Sequence, residues 1–319
     1  MKESRLKSIL QEIGPVNRMV IRWKERERKV LYGDENPDKT FFVIRRNAPN
    51  AGLFSFVITN MGWIRYALDR GYIPVIDMQY YYNTYLTEDE VRHVNAWDYY
   101  FRQPCGYSLE DIMKSKNVII SSLNAAENNP NPLYLDEMKE WIRLAHEVLH
   151  FKPEVQHIVE EQREKLFQNE RVLGVLCRGT DYTALRPKGH PIQPDVGAVI
   201  AKAQEMMQDQ HCTTIFLATE DETICQLFLA AFGNRLRTYS ERIRTTNGIF
   251  INEYEDQKLE KQSDPAKAKY LRGLNYAVTI GLLSSCNCLV AGQVSGTTGA
   301  ILLSKGYEKV YLFDLGNYS

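Results

Sequence analysis

"RVLGVLCRGTDYTALRPKGHPIQPDVGAVIAKAQEMMQDQ" (Arg171 to Gln210) passes from one regular pattern to another. Its opening places Val172, Leu173, Val175 and Leu176 almost without interruption, the texture of a strand covered on both faces in a parallel sheet. Its close carries Val196, Val199, Ile200, Ala203, Met206 and Met207 at helical spacing, with Pro194 near the first turn. Between strand and helix stand Arg178, Asp181, Arg186, Lys188 and His190. A tight turn asks for glycine or asparagine and has no use for that much charge. Ligands of an open parallel sheet gather at the carboxyl ends of its strands, so the loop reads as a binding site.

The same alternation continues on both sides. Downstream, "TTIFLAT" reads as a strand, "DETICQLFLAAFG" as a helix closed by Gly233, and "RLRTY" as a short strand. The polar segment from Ser240 to Lys267 has no clear period. A long helix up to Cys286, the strand "NCLVAG", the short helix "TGAILLSKG" and the strand "KVYLFDL" complete the chain. Upstream, "TFFVIRR" reads as the first strand and "NAPNAGLFS" as a loop. The helix "FVITNMGWIRYALDRG" and the strand "YIPVIDM" follow, making a βαβ unit. "IISSL" is a third strand, and residues 134–168 read as one long helical stretch. The aromatic run "NAWDYYFRQPCGYS" suits either a pocket wall or a core wedge. The expectation is an α/β protein of two Rossmann-like, doubly wound domains, residues 1–168 and 169–319, facing a cleft.

Composition narrows the function classes. The chain has 319 residues, 44% hydrophobic and 25% charged, with a net charge of −1, which argues against bulk nucleic-acid binding. The cysteines form no C-x-x-C pair, and several lie in apolar runs where a thiol acts as a small hydrophobe, so a reducing cytoplasm and no zinc site are expected. No stretch reaches the roughly 18 apolar residues that span a bilayer. Leu6, Ile9, Leu10 and Ile13 predict a short amphipathic helix. The basic residues from Arg18 to Lys29 read either as peripheral contact with the inner membrane or as a solvated helix. Glu25 and Glu27, interleaved among them, favour the second.

Three loops at strand ends carry the chemistry. In "VLCRGTDY", Arg178 offers a planar fork of donors suited to phosphate, and Asp181 either orients it or contacts an acceptor hydroxyl. An Arg–Asp pair that only holds the loop is the plainer alternative. After "IFLAT", Glu220, Asp221 and Glu222 either cap the next helix or accept hydrogen bonds from a base or ribose. In "AGQVSGTTGAILLS", Gly292, Gly296 and Gly299 surround Ser295, Thr297 and Thr298 just before a helix. That pattern can present N–H groups and hydroxyls to an anion, although it is not a Walker A loop. No G-x-G-x-x-G follows the first strand, which excludes the common dinucleotide fingerprint.

In this order the three loops resemble the fucosyltransferase superfamily, which includes the nodulation fucosyltransferases and the α-1,6-fucosyltransferases. The first motif is similar to Cys177–Tyr182, followed by His190-Pro191-Ile192; the second to Ala218-Thr219-Glu220-Asp221; the third to Arg272-Gly273 and Val294–Thr297. The resemblance spans roughly residues 170–305, with a more general likeness in the glycine-containing loop 47–55, where Gly52 lies. It implies a GT-B fold and an inverting, metal-independent transfer of fucose from GDP-fucose, the donor substrate, to a glycan acceptor, with no further cofactor. That chemistry fits bacterial surface polysaccharide synthesis in the cytoplasm. On this resemblance Arg178 contacts the diphosphate, Thr219, Glu220 and Asp221 the guanosine end, and Ser295, Gly296, Thr297 and Thr298 the phosphates. Asp181 and His190 are the candidates for the catalytic base. Two departures stand out. Gly179 occupies a position where many relatives carry a second basic residue, and "YTALRPKG" lacks the acid found there in α-1,6 enzymes. Transfer from another nucleotide sugar, and a non-catalytic nucleotide- or glycan-binding role, are the competing readings.

Overall fold

The computed structural model describes residues 26–123, 126–179, 185–245, 261 and 264–319. The amphipathic segment 4–13, most of the basic run and Asp181 lie outside them.

Two sheets organise the chain. The first contains β1 (Arg28–Val30), β2 (Glu35–Arg45), β3 (Ile73–Asp77) and β4 (Ser115–Ile120) in the order β1-β4-β2-β3. β2 runs parallel to β3 and β4, and β1 pairs antiparallel with β4 at the edge. The second contains β5 (Val172–Leu176), β6 (Thr214–Ala218), β7 (Leu236–Arg237), β8 (Cys288–Ala291) and β9 (Lys309–Leu312). Its order is β7-β6-β5-β8-β9, with every neighbouring pair parallel. The expected α/β class with two sheets is what the chain adopts.

Strand composition explains the layers. In β2, Phe42 and Ile44 enter one core while Phe41 and Val43 enter another, the period of two expected of a sheet with both faces covered. β5 is buried along its whole length. Its Gly174 admits helix α8 (Pro265–Ser284) at close range, because a Cβ there would stand 2.8 Å from Leu283 Cδ1. Helix α1 (Leu53–Leu68) follows β2. Two short turns of helix, α2 (Trp97–Tyr100) and α3 (Leu109–Ile112), precede β4. Helix α6 (Val196–Asp209) opens on Asp195, whose carboxylate accepts the Gly197 N–H at 2.8 Å. Helix α7 (Glu222–Phe232) follows β6, and α9 (Ser295–Leu303) follows β8.

Several sequence expectations change. The stretch 134–168 is two helices, α4 (Leu135–Val148) and α5 (Pro153–Phe167). Pro153 cannot donate to a continuing helix and holds Lys152 extended, with φ −61° and ψ 152°. α4 packs against α9 and α5 against α8, so both helices rest on helices of the second half. The strand expected at "IISSL" starts earlier, at Ser115, and stops before Ser121, whose hydroxyl accepts the Arg45 N–H at 3.0 Å. Arg28 and Lys29, placed by sequence in a solvated helix, belong to strand β1. The aromatic run is a core wedge: Trp97, Tyr100 and Phe101 are buried, and the Tyr100 hydroxyl donates to the Tyr270 carbonyl at 3.0 Å.

One apolar core joins the two sheets through α1, α8 and α9. Phe54, in the first turn of α1, packs directly on Gly299 of α9, where a Cβ would lie 2.1 Å from the ring. That seam fixes how the ends of β2, β5, β6 and β8 face one another. Among the described residues, no helix is long and apolar enough to cross a membrane.

Candidate functional site

A cavity of about 340 Å³ opens above the seam, within the range of small-ligand sites. The first half contributes Asn50, Ala51, Gly52, Ser55 and Tyr85 to it, and the second contributes Arg178, His190, Thr219, Glu220 and Ser295. Six residues expected from sequence thus meet in one place: Gly52, Arg178, His190, Thr219, Glu220 and Ser295.

The end of β5 sets the electrostatics. Arg178 leaves the strand with its Nε 3.7 Å from Glu220 Oε1, at side-chain exposures of 26% and 11%. The Gly179 N–H donates to the same carboxylate oxygen at 3.0 Å. Gly179 has no room for a side chain, since a Cβ would lie 2.5 Å from Asp221 Oδ2 and 2.8 Å from Ile224 Cδ1. The departure noted at this position therefore has a steric cause: the N-terminus of α7 packs on it. Cys177, just before the arginine, is buried, and burial pushes its thiol up, so it is neutral packing rather than a nucleophile.

The three acids after β6 divide their work. Asp221 caps α7, accepting the Thr223 N–H at 2.8 Å and the Ile224 N–H at 3.2 Å. Glu222 pairs with Arg244 at 3.0 Å. Only Glu220 lines the cavity, and the Thr245 N–H, bonded to its carbonyl at 2.9 Å, fixes the turn. Thr219 lines it too, its hydroxyl accepting the Asp221 N–H at 3.2 Å.

The third loop is not the open cradle its glycines suggest. Helix α9 begins at Ser295, so Gly296 and Gly299 are helical. A Cβ at Gly296 would lie 2.6 Å from the Tyr276 hydroxyl, and one at Gly292 2.5 Å from Gln193 Oε1. Thr297 is fully buried and donates to the Gly292 carbonyl at 2.6 Å, while Thr298 is buried beside it. The glycines and threonines therefore serve close packing, and Val294 and Ser295 are the residues of this loop that reach the cavity. They do so at the amino end of α9, where the helix dipole favours an anion.

The other contributors are placed as follows. Gly52 is the N-cap of α1, and a Cβ there would meet nothing within 4 Å, so this wall is open. Beside it, Arg46 donates to the Ser55 carbonyl at 2.9 Å and hydroxyl at 3.0 Å. His190 is exposed, and its backbone is tied to Pro187 and Tyr318. Asp181 falls outside the described residues.

Sequence reasoning missed Arg242 and Tyr276 as lining residues, and named Arg272 only within the third motif, without a role. Arg272 is 3% exposed and donates through Nη1 to the Thr84 carbonyl at 3.1 Å and to the Thr84 hydroxyl. Arg272, Tyr276, Thr279 and Ile280 all line the cavity at helical spacing along α8. A charged residue on the buried stripe of an apolar helix was the signal available. Arg242 lies in the aperiodic polar segment, with its guanidinium 5.0 Å from the centre of the Tyr276 ring. Three arginines, one carboxylate and the amino ends of α1 and α9 make a cavity suited to a ligand with several negative charges. Among the described residues no group of three or more His, Cys, Asp or Glu side chains is placed to hold a metal ion.

No protein-family model and no curated protein matches the chain. Solved structures do. The NodZ α-1,6-fucosyltransferase soaked with GDP-fucose is 16% identical, with a TM-score of 0.51 over 87% of this chain and 96% of that one. The selenomethionine fucosyltransferase NodZ from Bradyrhizobium is 15% identical, with a TM-score of 0.51 over 88% and 97%. NodZ co-crystallised with GDP is 14% identical, with a TM-score of 0.50 over 83% and 93%. The chain has the GT-B fold of the NodZ fucosyltransferases.

Proposed function

We propose that this protein is a glycosyltransferase that moves fucose from GDP-fucose to a glycan acceptor, by an inverting displacement that needs no metal. The observation that carries the reading is the convergence of Arg178, Arg242 and Arg272 with the amino ends of α1 and α9 on one cavity at the strand ends. Its support from comparison is a fold in common with fucosyltransferases crystallised with GDP and GDP-fucose.

In this reading residues 169–319 hold the nucleotide sugar and residues 1–168 offer the acceptor side. As the bond from the fucose anomeric carbon to the β-phosphate oxygen breaks, negative charge grows on the departing GDP. Arg178 stabilises it, with the amino end of α9 and the Ser295 hydroxyl as further donors. Thr219 and Glu220 take the guanosine end, and Gly52 leaves room on the facing wall. The acceptor hydroxyl attacks from the opposite face of the sugar and loses its proton to a base, for which His190 and Asp181 remain the candidates. Asp221, Gly296, Thr297 and Thr298 contribute indirectly, by holding α7 and α9 in position. The acceptor belongs to bacterial surface polysaccharide synthesis, and the enzyme works in the cytoplasm, with the basic N-terminal run available for contact with the inner membrane.

Incubation with GDP-fucose, GDP-mannose and UDP-glucose, with and without glycan acceptors and with EDTA present, tests the reading. GDP release from GDP-fucose that rises with acceptor is the expected result. Turnover confined to another donor would replace the sugar assignment, and binding with no GDP release would favour a non-catalytic role.

A further inference from the structure

The carboxyl ends of β2 and β3 carry a second cluster of charge, beside the residues that line the cavity. Arg45 and Asp77 are the last residues of these parallel strands and stand opposite each other in register. Arg45 Nε donates to Asp77 Oδ2 at 2.6 Å, with side-chain exposures of 11% and 2%. The other Asp77 oxygen accepts the Gln79 and Tyr80 N–H groups, each at 3.0 Å. One carboxylate therefore fixes both the arginine and the turn that carries Tyr80.

Tyr80 gathers two cations. The Arg45 guanidinium lies 4.0 Å from its ring centre and that of Arg92 4.9 Å. Arg92 reaches the ring from a backbone with φ 70°, a left-handed conformation sparsely populated by residues that carry a side chain. Its N–H donates to the Gln79 carbonyl at 2.7 Å, which holds this turn beside Tyr80. Two like charges on one ring repel, and the Asp77 carboxylate offsets only the one it bonds. Stacking on an aromatic face leaves the in-plane donors of a guanidinium for a ligand. Such a pair is a preformed seat for a carboxylate or a phosphate.

The seat adjoins the candidate site. Arg46, next in the chain, donates to Ser55 of the cavity wall. The loop from Tyr80 continues through Tyr82, 42% exposed, to the lining residue Tyr85. Lys269 of α8 lies 5.9 Å from the Tyr82 ring centre, so the second half of the chain adds a cation to this loop. We infer that Arg45 and Arg92, on the Tyr80 ring, bind the acidic group of the acceptor, which is an anionic glycan bearing a carboxylate or a phosphate. That assignment rests on the glycosyl-transfer reading above, in which residues 1–168 offer the acceptor side.

Ligand-observed NMR titration of glucuronate, glucose 6-phosphate and glucose tests it on wild type, Arg92→Gln and Arg92→Lys, with GDP present in excess to occupy the cavity. Wild type is expected to bind at least one of the two acidic sugars about fivefold more tightly than glucose, the scale of a favourable exposed ion pair. The acidic sugar that binds more tightly names the group. Arg92→Gln should lose most of that preference, while Arg92→Lys, which keeps the charge, should lose less. Added salt should weaken the acidic sugar and leave glucose unchanged. Equal binding of all three sugars by wild type, or an unchanged preference in folded Arg92→Gln, would overturn the inference. Should Arg92→Gln not fold, Tyr80→Leu, which removes the stacking ring, must show the same loss for the inference to stand. Failure of wild type to bind GDP would defeat the donor reading instead, whatever the sugars do.

Discussion

In the proposed reading, Arg178 is the residue on which the chemistry turns. It ends a strand that is buried along its length, and its guanidinium reaches the cavity while Glu220 holds it. Replacement by alanine should reduce kcat on the order of a hundredfold or more, the scale seen when a transition-state donor is removed. Circular dichroism and the melting temperature should change little, because the side chain lies at the cavity wall. Lysine should not restore turnover, since a point charge lacks the guanidinium fork. An alanine variant that unfolds would reduce Arg178 to a loop-holding role. Ser295→Ala should be milder, costing about 1 kcal/mol in GDP binding by calorimetry, as one neutral hydrogen bond does. Arg178 was legible as a cavity residue because a turn at the mouth of an apolar strand does not need so much charge. Arg242 was not, because nothing periodic surrounds it. Arg272 stood in the third motif by resemblance, but the apolar neighbours on its helix gave no sign that it lines the cavity and bonds to Thr84.

At the scale of elements, the glycines of α8 and α9 are contact points. Gly273 meets the Tyr100 ring, with a Cβ distance of 2.2 Å to the hydroxyl, and Gly299 meets Phe54 at 2.1 Å. Alanine at either position should cost about 1–3 kcal/mol, as overpacking does, read as a lower denaturation midpoint. GDP affinity of the folded fraction should persist in Gly273→Ala, because neither Gly273 nor Tyr100 lines the cavity. A Gly299→Ala protein as stable as wild type would mean that α1 and α9 separate more easily than this packing allows. Sequence showed glycines clustered before a helix, and an anion loop was a fair reading of them. What it lacked was Phe54 and Tyr276, which approach from distant parts of the chain. Pro153, by contrast, was a visible break in the stretch 134–168, and its restriction on Lys152 explains the two helices found there.

The whole molecule carries an alkaline liability. Burial pushes the thiols of Cys177 and Cys286 up, and Cys212 up to about 12, from an ordinary value near 9. The hydroxyls of Tyr100 and Tyr307 rise for the same reason, and Tyr239 reaches about 12. The folded chain keeps these protons where the unfolded chain releases them, so their contribution is intact below pH 9 and is lost as pH rises from there toward 12. Each such group costs about 1.4 kcal/mol per pH unit once its unfolded counterpart has ionised. The melting temperature should therefore fall steeply above pH 9 under reducing conditions. A flat profile between pH 8.5 and 10.5 would show that these side chains are not sealed from water. At this scale the sequence was most informative. Strand and helix alternated visibly in both halves, and the strand ends could be named. The core shared by α1, α8 and α9 was not visible, because it is made by faces that meet only in the folded chain.

The central claim is that the cavity between the two sheets takes a guanosine diphosphate sugar. A thermal-shift comparison of GDP-fucose, GDP, UDP, CMP and NAD, made with EDTA present, tests it most directly. The account predicts that GDP-fucose and GDP raise the melting temperature, that the other ligands leave it nearly unchanged, and that Arg178→Ala abolishes the rise. Stabilisation by UDP in preference to GDP, or a GDP effect that vanishes with EDTA, would contradict it.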